Sequence, residues 1–123
     1  MKHILVIDDS PTIRTSVEYA IKKLGYTIKQ AENGKKGLEE VQSLKSGGAE
    51  IAMCIVDVNM PEMDGISFVK EFRKDDKFTP VLILTTESEE ENITEGKTAG
   101  ASGWMIKPFK PADLVAVVEK LIR

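Results

Sequence analysis

Cysteine occurs once in the 123 residues, at Cys54, so the chain cannot close an internal disulfide. The thiol sits within an apolar run, where a buried and inert side chain is the ordinary outcome. No apolar stretch at the start is long enough for a signal peptide or a membrane span, because Met1-Lys2-His3 leads into only Ile4 to Ile7 before two aspartates. A cytoplasmic protein is therefore expected, with His3 exposed. A basic stripe is missing as well: the formal net charge is -3, and nothing in the sequence would displace counterions from nucleic acid or gather anionic lipid. Direct binding to nucleic acid or membrane is not expected. No linker, low-complexity tract or repeat beyond a strand-helix unit interrupts the chain, so residues 1–123 are expected to form a single domain.

Hydrophobic residues make up 41% and charged residues 30%, enough apolar side chain for a packed core. Short apolar runs alternate with stretches whose apolar residues recur every three or four positions, the pattern of strands taking turns with helices. Strands are predicted at residues 4–8, 27–31, 51–57, 81–85 and 104–106. Most are continuously apolar, as strands covered on both faces must be. Helix faces are marked by Ile13, Val17, Ile21 and Leu24, by Leu38 with Val41, by Ile66 with Val69, and by Leu114, Val118 and Leu121. Ser10 before Pro11 reads as an N-cap with a first-turn proline, Gly25 as the stop after the first helix, and Ser88 with Glu91 as a capping box. The fourth helix is predicted to be the loosest, since residues 89–98 offer Ile93 as their only large apolar side chain and carry Gly96. Right-handed crossovers between such units give an α/β, doubly wound parallel sheet with helices on both faces. Ligands of such sheets sit at the carboxyl ends of the strands, near the topological switch point.

Those ends carry Asp8 and Asp9 after the first strand, Asp57 at the third, Thr85 and Thr86 at the fourth, and Lys107 after the fifth. The second strand ends at Ala31 and offers nothing reactive. Carboxylates from neighbouring strands repel one another by ~4 kcal/mol per pair at ~4 Å and an effective dielectric of ~20, so a cation is expected among them. With no histidine or cysteine nearby, zinc is disfavoured. Mg²⁺ commonly takes one or two carboxylates and fills its octahedron with waters and phosphate oxygens. A carboxylate beside such an ion can attack phosphorus and form an acyl phosphate if donors for the developing charge are already in place. Lys107 can supply a cation to one oxygen and the Thr85 hydroxyl a hydrogen bond to another.

Asp8-Asp9-Ser10, then Asp57-Val58-Asn59-Met60-Pro61 with Asp64-Gly65, then Thr85, then Lys107-Pro108-Phe109 resemble the receiver domain of two-component response regulators over essentially the whole chain. In style the chain is similar to the stand-alone chemotaxis members. The resemblance implies a flavodoxin-like five-stranded parallel sheet in the order 2-1-3-4-5. It implies that Asp57 accepts a phosphoryl group from the phosphohistidine of a sensor histidine kinase or phosphotransfer protein. It also implies that Asp9, Asp57 and the main-chain carbonyl of Asn59 ligate Mg²⁺, with Asp8 helping directly or through water. Thr85 would then swing toward the phosphoryl group, letting the aromatic at position 104 turn inward and remodel the fourth helix and fifth strand for a downstream protein target. Asn59 and Glu87 fall at positions that tune loss of the phosphoryl group. Such a protein is no enzyme in the ordinary sense, since it catalyses only its own phosphorylation and dephosphorylation. It would be a monomer, with dimerisation on phosphorylation left open. Two features depart from the family: Trp104 stands where tyrosine or phenylalanine is commoner, and the acidic residues at 87–91 have the wrong sign for an acidic target peptide.

Plainer readings exist for each residue. Asp8 and Asp9 could be an acidic pair favoured by the dipole at a helix start, Lys107 a solvated surface lysine, Thr85 a strand-end turn former, and Trp104 a packed strand residue with a wet N–H edge. Joint placement with Asp57 argues for the functional reading of the acidic pair, Thr85 and Lys107. The Lys107-Pro108 bond is a candidate for the cis form. A haloacid-dehalogenase-like phosphohydrolase uses similar ingredients, but its nucleophile lies at the first strand in an Asp-x-Asp arrangement, whereas here position 59 is asparagine and the acidic pair comes first. A flavodoxin-like cofactor binder needs an acid-free phosphate loop after the first strand, where Asp8-Asp9 would repel a flavin phosphate. The third rival, a receiver-like interaction module that is never phosphorylated, has no evident use for the complete acidic, threonine and lysine set.

Overall fold

The computed structural model describes residues 2–60, 62–86 and 90–122, with the backbone alone at 90–92. Strand and helix alternate along it: β1 (Lys2–Ile7), α1 (Pro11–Ile21) with a short 3₁₀ turn at Lys22–Leu24, β2 (Thr27–Ala31), α2 (Gly34–Ser46), β3 (Glu50–Asp57), α3 (Gly65–Asp75), β4 (Val81–Thr86), α4 (Glu90–Ala99), β5 (Gly103–Lys107) and α5 (Pro111–Ile122). All strand pairs are parallel and the order is β2-β1-β3-β4-β5, as expected from the sequence. The chain moves outward from β1 to β2, then crosses back to β3. The switch point therefore lies between the carboxyl ends of β1 and β3.

Side chains alternate across each strand, so one sheet feeds two cores. Ile4 and Val6 of β1 join Val17, Ile21, Met53, Ile55, Leu82, Leu84, Leu114 and Val118 beneath α1 and α5. Leu5 and Ile7 join Val41, Cys54, Val56, Phe68, Val69 and Phe72 beneath α2 and α3. Burial pushes the Cys54 thiol up to about 12, in keeping with an inert core residue. A third, smaller patch of Val58, Ile66 and Ile83 lies against Ala99 of α4. Within α4, Gly96 is buried while Ile93 and Ala99 are only half-buried, as the weak apolar pattern suggests. A Cβ at position 96 would overlap Cδ1 of Ile83, so the glycine lets the helix lie close to β4.

Caps follow the sequence. Ser10 Oγ accepts from the Ile13 N–H at 3.3 Å, and Gly25 takes a left-handed φ of 90° after the 3₁₀ turn. The capping box of Ser88 with Glu91 rests on side chains outside the described residues. Two expectations need correction. His3 is buried rather than exposed, because β1 begins at Lys2 and runs between two neighbours, with His3 in register with Thr27 on β2 and Ile51 on β3. Its Nδ1 has no hydrogen-bond partner among the described residues. The edge strand β5 is not continuously covered either: it alternates, leaving Trp104 and Ile106 exposed.

Candidate functional site

At the switch point β1 ends with Ile7, and Asp8 is fixed from several directions. Its N–H donates to the Ala31 carbonyl at 3.1 Å, and its Oδ1 accepts from the Ser10 N–H at 2.9 Å. Its main-chain oxygen accepts from Nη1 of Arg14 at 2.6 Å. Asp57 closes β3, and the chain beyond it is held by Val58 N–H to the Leu84 carbonyl at 3.1 Å and by Gly65 N–H to the Val58 carbonyl at 3.0 Å. A Cβ on Gly65 would overlap the Asp57 carbonyl oxygen, so only glycine lets α3 start this close to the end of β3. Asp64 N-caps α3 by accepting from the Ser67 N–H at 2.7 Å. The parallel register of β4 and β5 sets Thr85 beside Ile106 and Thr86 beside Lys107.

These elements bring the acids and the lysine together. Lys107 Nζ donates to Asp57 Oδ1 at 2.9 Å and to Asp8 Oδ2 at 3.1 Å. One carboxylate oxygen each from Asp8, Asp9 and Asp57 lies within 4.8 Å of the others, and no second such group occurs among the described residues. Asp8 and Asp57 are buried, whereas Asp9 is exposed. Burial raises Asp57 from 3.8 to about 6; the hydrogen bond from Lys107 works against the rise, and the charges of Asp8 and Asp9 add to it. Burial pulls Lys107 down, but its hydrogen bonds and charge attraction to Asp57 and Asp8 outweigh this and hold it above the ordinary lysine value. Hard carboxylate oxygens without a nitrogen or sulfur donor suit Mg²⁺, and crowded negative charge with one lysine leaves room for a cation.

The remaining predicted residues among those described occupy β4, β5 and the loop after β3. Thr85 is buried one position beyond Leu84, the register partner of Asp57, and its Oγ1 reaches the Thr86 carbonyl at 3.4 Å. Asn59 is exposed two residues past Asp57, bordering a recess of about 250 Å³ that Asp64, Lys70 and Glu95 also line. Trp104 faces outward at 40% exposure, and Lys97 Nζ lies over its ring, 4.1 Å from the centroid. Glu87 lies outside the described residues. The Lys107–Pro108 peptide is cis. Next to it opens a recess of about 480 Å³, lined by Ile13, Ser16, Thr86, Lys107, Phe109 and Pro111. Sequence reasoning missed Arg14, whose partner is a main-chain oxygen that no side-chain pattern announces.

A doubly wound sheet with a lysine-bridged acidic pocket at its switch point defines a CheY-like, flavodoxin-like receiver. Residues 4–119 match the family described as the response regulator receiver domain. Similar proteins include the alkaline phosphatase synthesis transcriptional regulatory protein PhoP of Bacillus subtilis (strain 168), 33% identical over 122 residues, which cover 99% of this chain and 49% of PhoP. The chain thus spans about half the length of that relative. Chemotaxis protein CheY1 of Helicobacter pylori (strain ATCC 700392 / 26695) is also 33% identical over 122 residues, covering 97% of this chain and 95% of CheY1. Among solved structures, chemotaxis protein CheY4 of Vibrio cholerae matches with a TM-score of 0.87 and 40% identity, covering 98% of each chain. The chain belongs to the response regulator receiver family. Receiver domains are signalling switches rather than ordinary enzymes; they bind Mg²⁺ at an acidic pocket and interact with histidine kinases or phosphotransfer proteins and with downstream targets. Among the described residues, no helix is long and apolar enough to cross a membrane.

Proposed function

We propose that this receiver is a cytoplasmic phospho-accepting switch in which residues 1–123 act as one unit and Asp57 takes a phosphoryl group from the phosphohistidine of a sensor histidine kinase or phosphotransfer protein. The observation that carries this reading is Lys107 Nζ bonded to both Asp57 and Asp8 within an acidic trio. A bond forms between an Asp57 carboxylate oxygen and phosphorus as the P–N bond of the donor breaks, and the imidazole nitrogen leaves with the electron pair. Asp8, Asp9, Asp57 and the main-chain carbonyl of Asn59 are the residues that would hold Mg²⁺, which when bound offsets the charge of the carboxylates and of the incoming phosphoryl oxygens. Lys107 already lies against Asp57, so shifting its donor to a phosphoryl oxygen needs little movement. The buried Thr85 hydroxyl is the second donor, through a short swing toward the phosphoryl group.

The readout falls on the face formed by α4, β5 and α5, which a downstream protein target recognises. Trp104 turning inward has to leave Lys97 and find room for an indole beside β4. Asn59 and Glu87 tune the lifetime of the phosphoryl group. The unphosphorylated chain acts as a monomer. Intact-mass measurement after incubation with acetyl phosphate and Mg²⁺ tests the central claim. One phosphoryl adduct on the native chain and none on Asp57→Asn is the expected result. No adduct on the native chain would point to a module that binds without being phosphorylated, and steady turnover of a phosphomonoester would point to a phosphohydrolase.

A further inference from the structure

We infer that Arg14 is a positioning residue of the metal pocket, fixing the Asp8–Asp9 peptide so that the Asp9 carboxylate faces the cation. The inference rests on the reading of Asp8, Asp9 and Asp57 as the Mg²⁺ site. Successive residues of a strand point to opposite faces. Asp8 and Asp9 nonetheless bring carboxylate oxygens within 4.8 Å of each other and of Asp57, so the backbone must turn directly after β1. Two of the three acids are held by their side chains through Lys107. Asp9 is exposed, and its carboxylate makes no hydrogen bond or ion pair among the described residues. Its direction is therefore set by the backbone that leads into it.

That backbone is held by Arg14. The Asp8–Asp9 peptide unit is planar, so fixing the Asp8 carbonyl oxygen fixes the plane from which Asp9 departs. Nη1 of Arg14 donates to that oxygen at 2.6 Å, a short charge-assisted bond. The guanidinium is braced in turn: its Nε donates to Gln30 Oε1 at 3.0 Å, and Gln30 Nε2 donates to Glu18 Oε1 at 2.7 Å. Glu18 sits one turn beyond Arg14 on α1, and Gln30 on β2, so helix and edge strand together hold the arginine in place. Arg14 bonds a main-chain oxygen and no carboxylate of the trio, which separates its role from that of Lys107. It acts on geometry and leaves the acids free for a metal.

Calorimetric titration of the full chain with Mg²⁺ tests this, alongside melting curves taken without the metal and phosphoryl uptake from acetyl phosphate across a range of Mg²⁺ concentrations. Arg14→Met is expected to weaken Mg²⁺ binding by about 10-fold, the scale seen when an outer partner of a ligand is removed. Its uptake rate should return to the native value at saturating Mg²⁺. Arg14→Lys should recover part of the affinity, and Gln30→Leu, at an exposed position, should show a smaller weakening. A lower melting temperature with unchanged Mg²⁺ affinity would reduce Arg14 to a structural residue and overturn the inference. Should Arg14→Met fail to fold, an unchanged affinity in Gln30→Leu and Arg14→Lys overturns it equally. If the native chain itself binds no Mg²⁺, the metal-site reading falls first and takes this one with it.

Discussion

Burial and charge pull Asp57 in opposite directions, and burial wins: its carboxyl rises from 3.8 to about 6 despite the bond from Lys107. A raised folded-state value means that the native state holds its proton more tightly than the unfolded chain does. Stability then falls as pH rises from about 4 through about 6, and the penalty is complete above that window. Asp57→Asn removes the penalty. In the absence of divalent cations it should be more stable than the native chain by about 1–3 kcal/mol at pH 7.5, with the gap closing near pH 4. Denaturant melts at the two pH values check this, and an equal gap at both would count against it. Lys107 carries the complementary prediction. Lys107→Met should fold yet lose about 10²-fold in the rate of phosphoryl uptake from acetyl phosphate, the usual scale for one donor to developing charge. The meeting of Asp8, Asp9, Asp57 and Lys107 was legible in the sequence because each ends or follows an apolar run, and parallel strands deliver such ends to one edge. Arg14 was not, since it acts on a main-chain oxygen that no side-chain pattern announces. The burial of His3 depends on its register with β2 and β3, which a single strand cannot reveal.

At the scale of elements, the sequence located strands and helices to within a few residues, because their apolar periods differ and their caps are explicit. The edge strands were located as well as the interior ones, although a strand with one neighbour is half covered and loses the continuous apolar signal. Gly96 shows how a local reading can be inverted by packing. In isolation it weakens α4, yet it is the position at which the helix meets Ile83. Replacing it by alanine gains about 1 kcal/mol of helix propensity. Overpacking costs about 1–3 kcal/mol. The overlapping atom is Cδ1 of Ile83, which Ile83→Val deletes. Gly96→Ala should therefore destabilise the native chain but become neutral or stabilising in the Ile83→Val background. Urea unfolding of the native chain, both single variants and the double variant measures the coupling. Identical effects of Gly96→Ala in both backgrounds would mean that helix and strand do not meet as described.

Across the whole molecule, the burial that holds the helices is uneven. The layer under α1 and α5 and the layer under α2 and α3 each draw on several strands at once. The patch by α4 has only Val58, Ile66 and Ile83 fully buried among the described residues. Two of these three flank the site: Val58 follows Asp57, and Ile83 precedes Thr85 by two residues on β4. On the proposed reading, a rearrangement at the acidic pocket would reach first the element with the least burial to resist it, where local stability is lowest. Hydrogen exchange resolves this by element. Amides at 93–99 should exchange faster than those of β1, β3 and β4 in the unphosphorylated chain, and should shift on treatment with acetyl phosphate and Mg²⁺. The same treatment of Asp57→Asn should leave them unchanged, which separates the effect of the phosphoryl group from that of the metal. Protection at 93–99 equal to that of the central strands, and unaltered by phosphorylation, would remove α4 from the switch and leave the exposed aromatic edge of β5 to carry the signal alone.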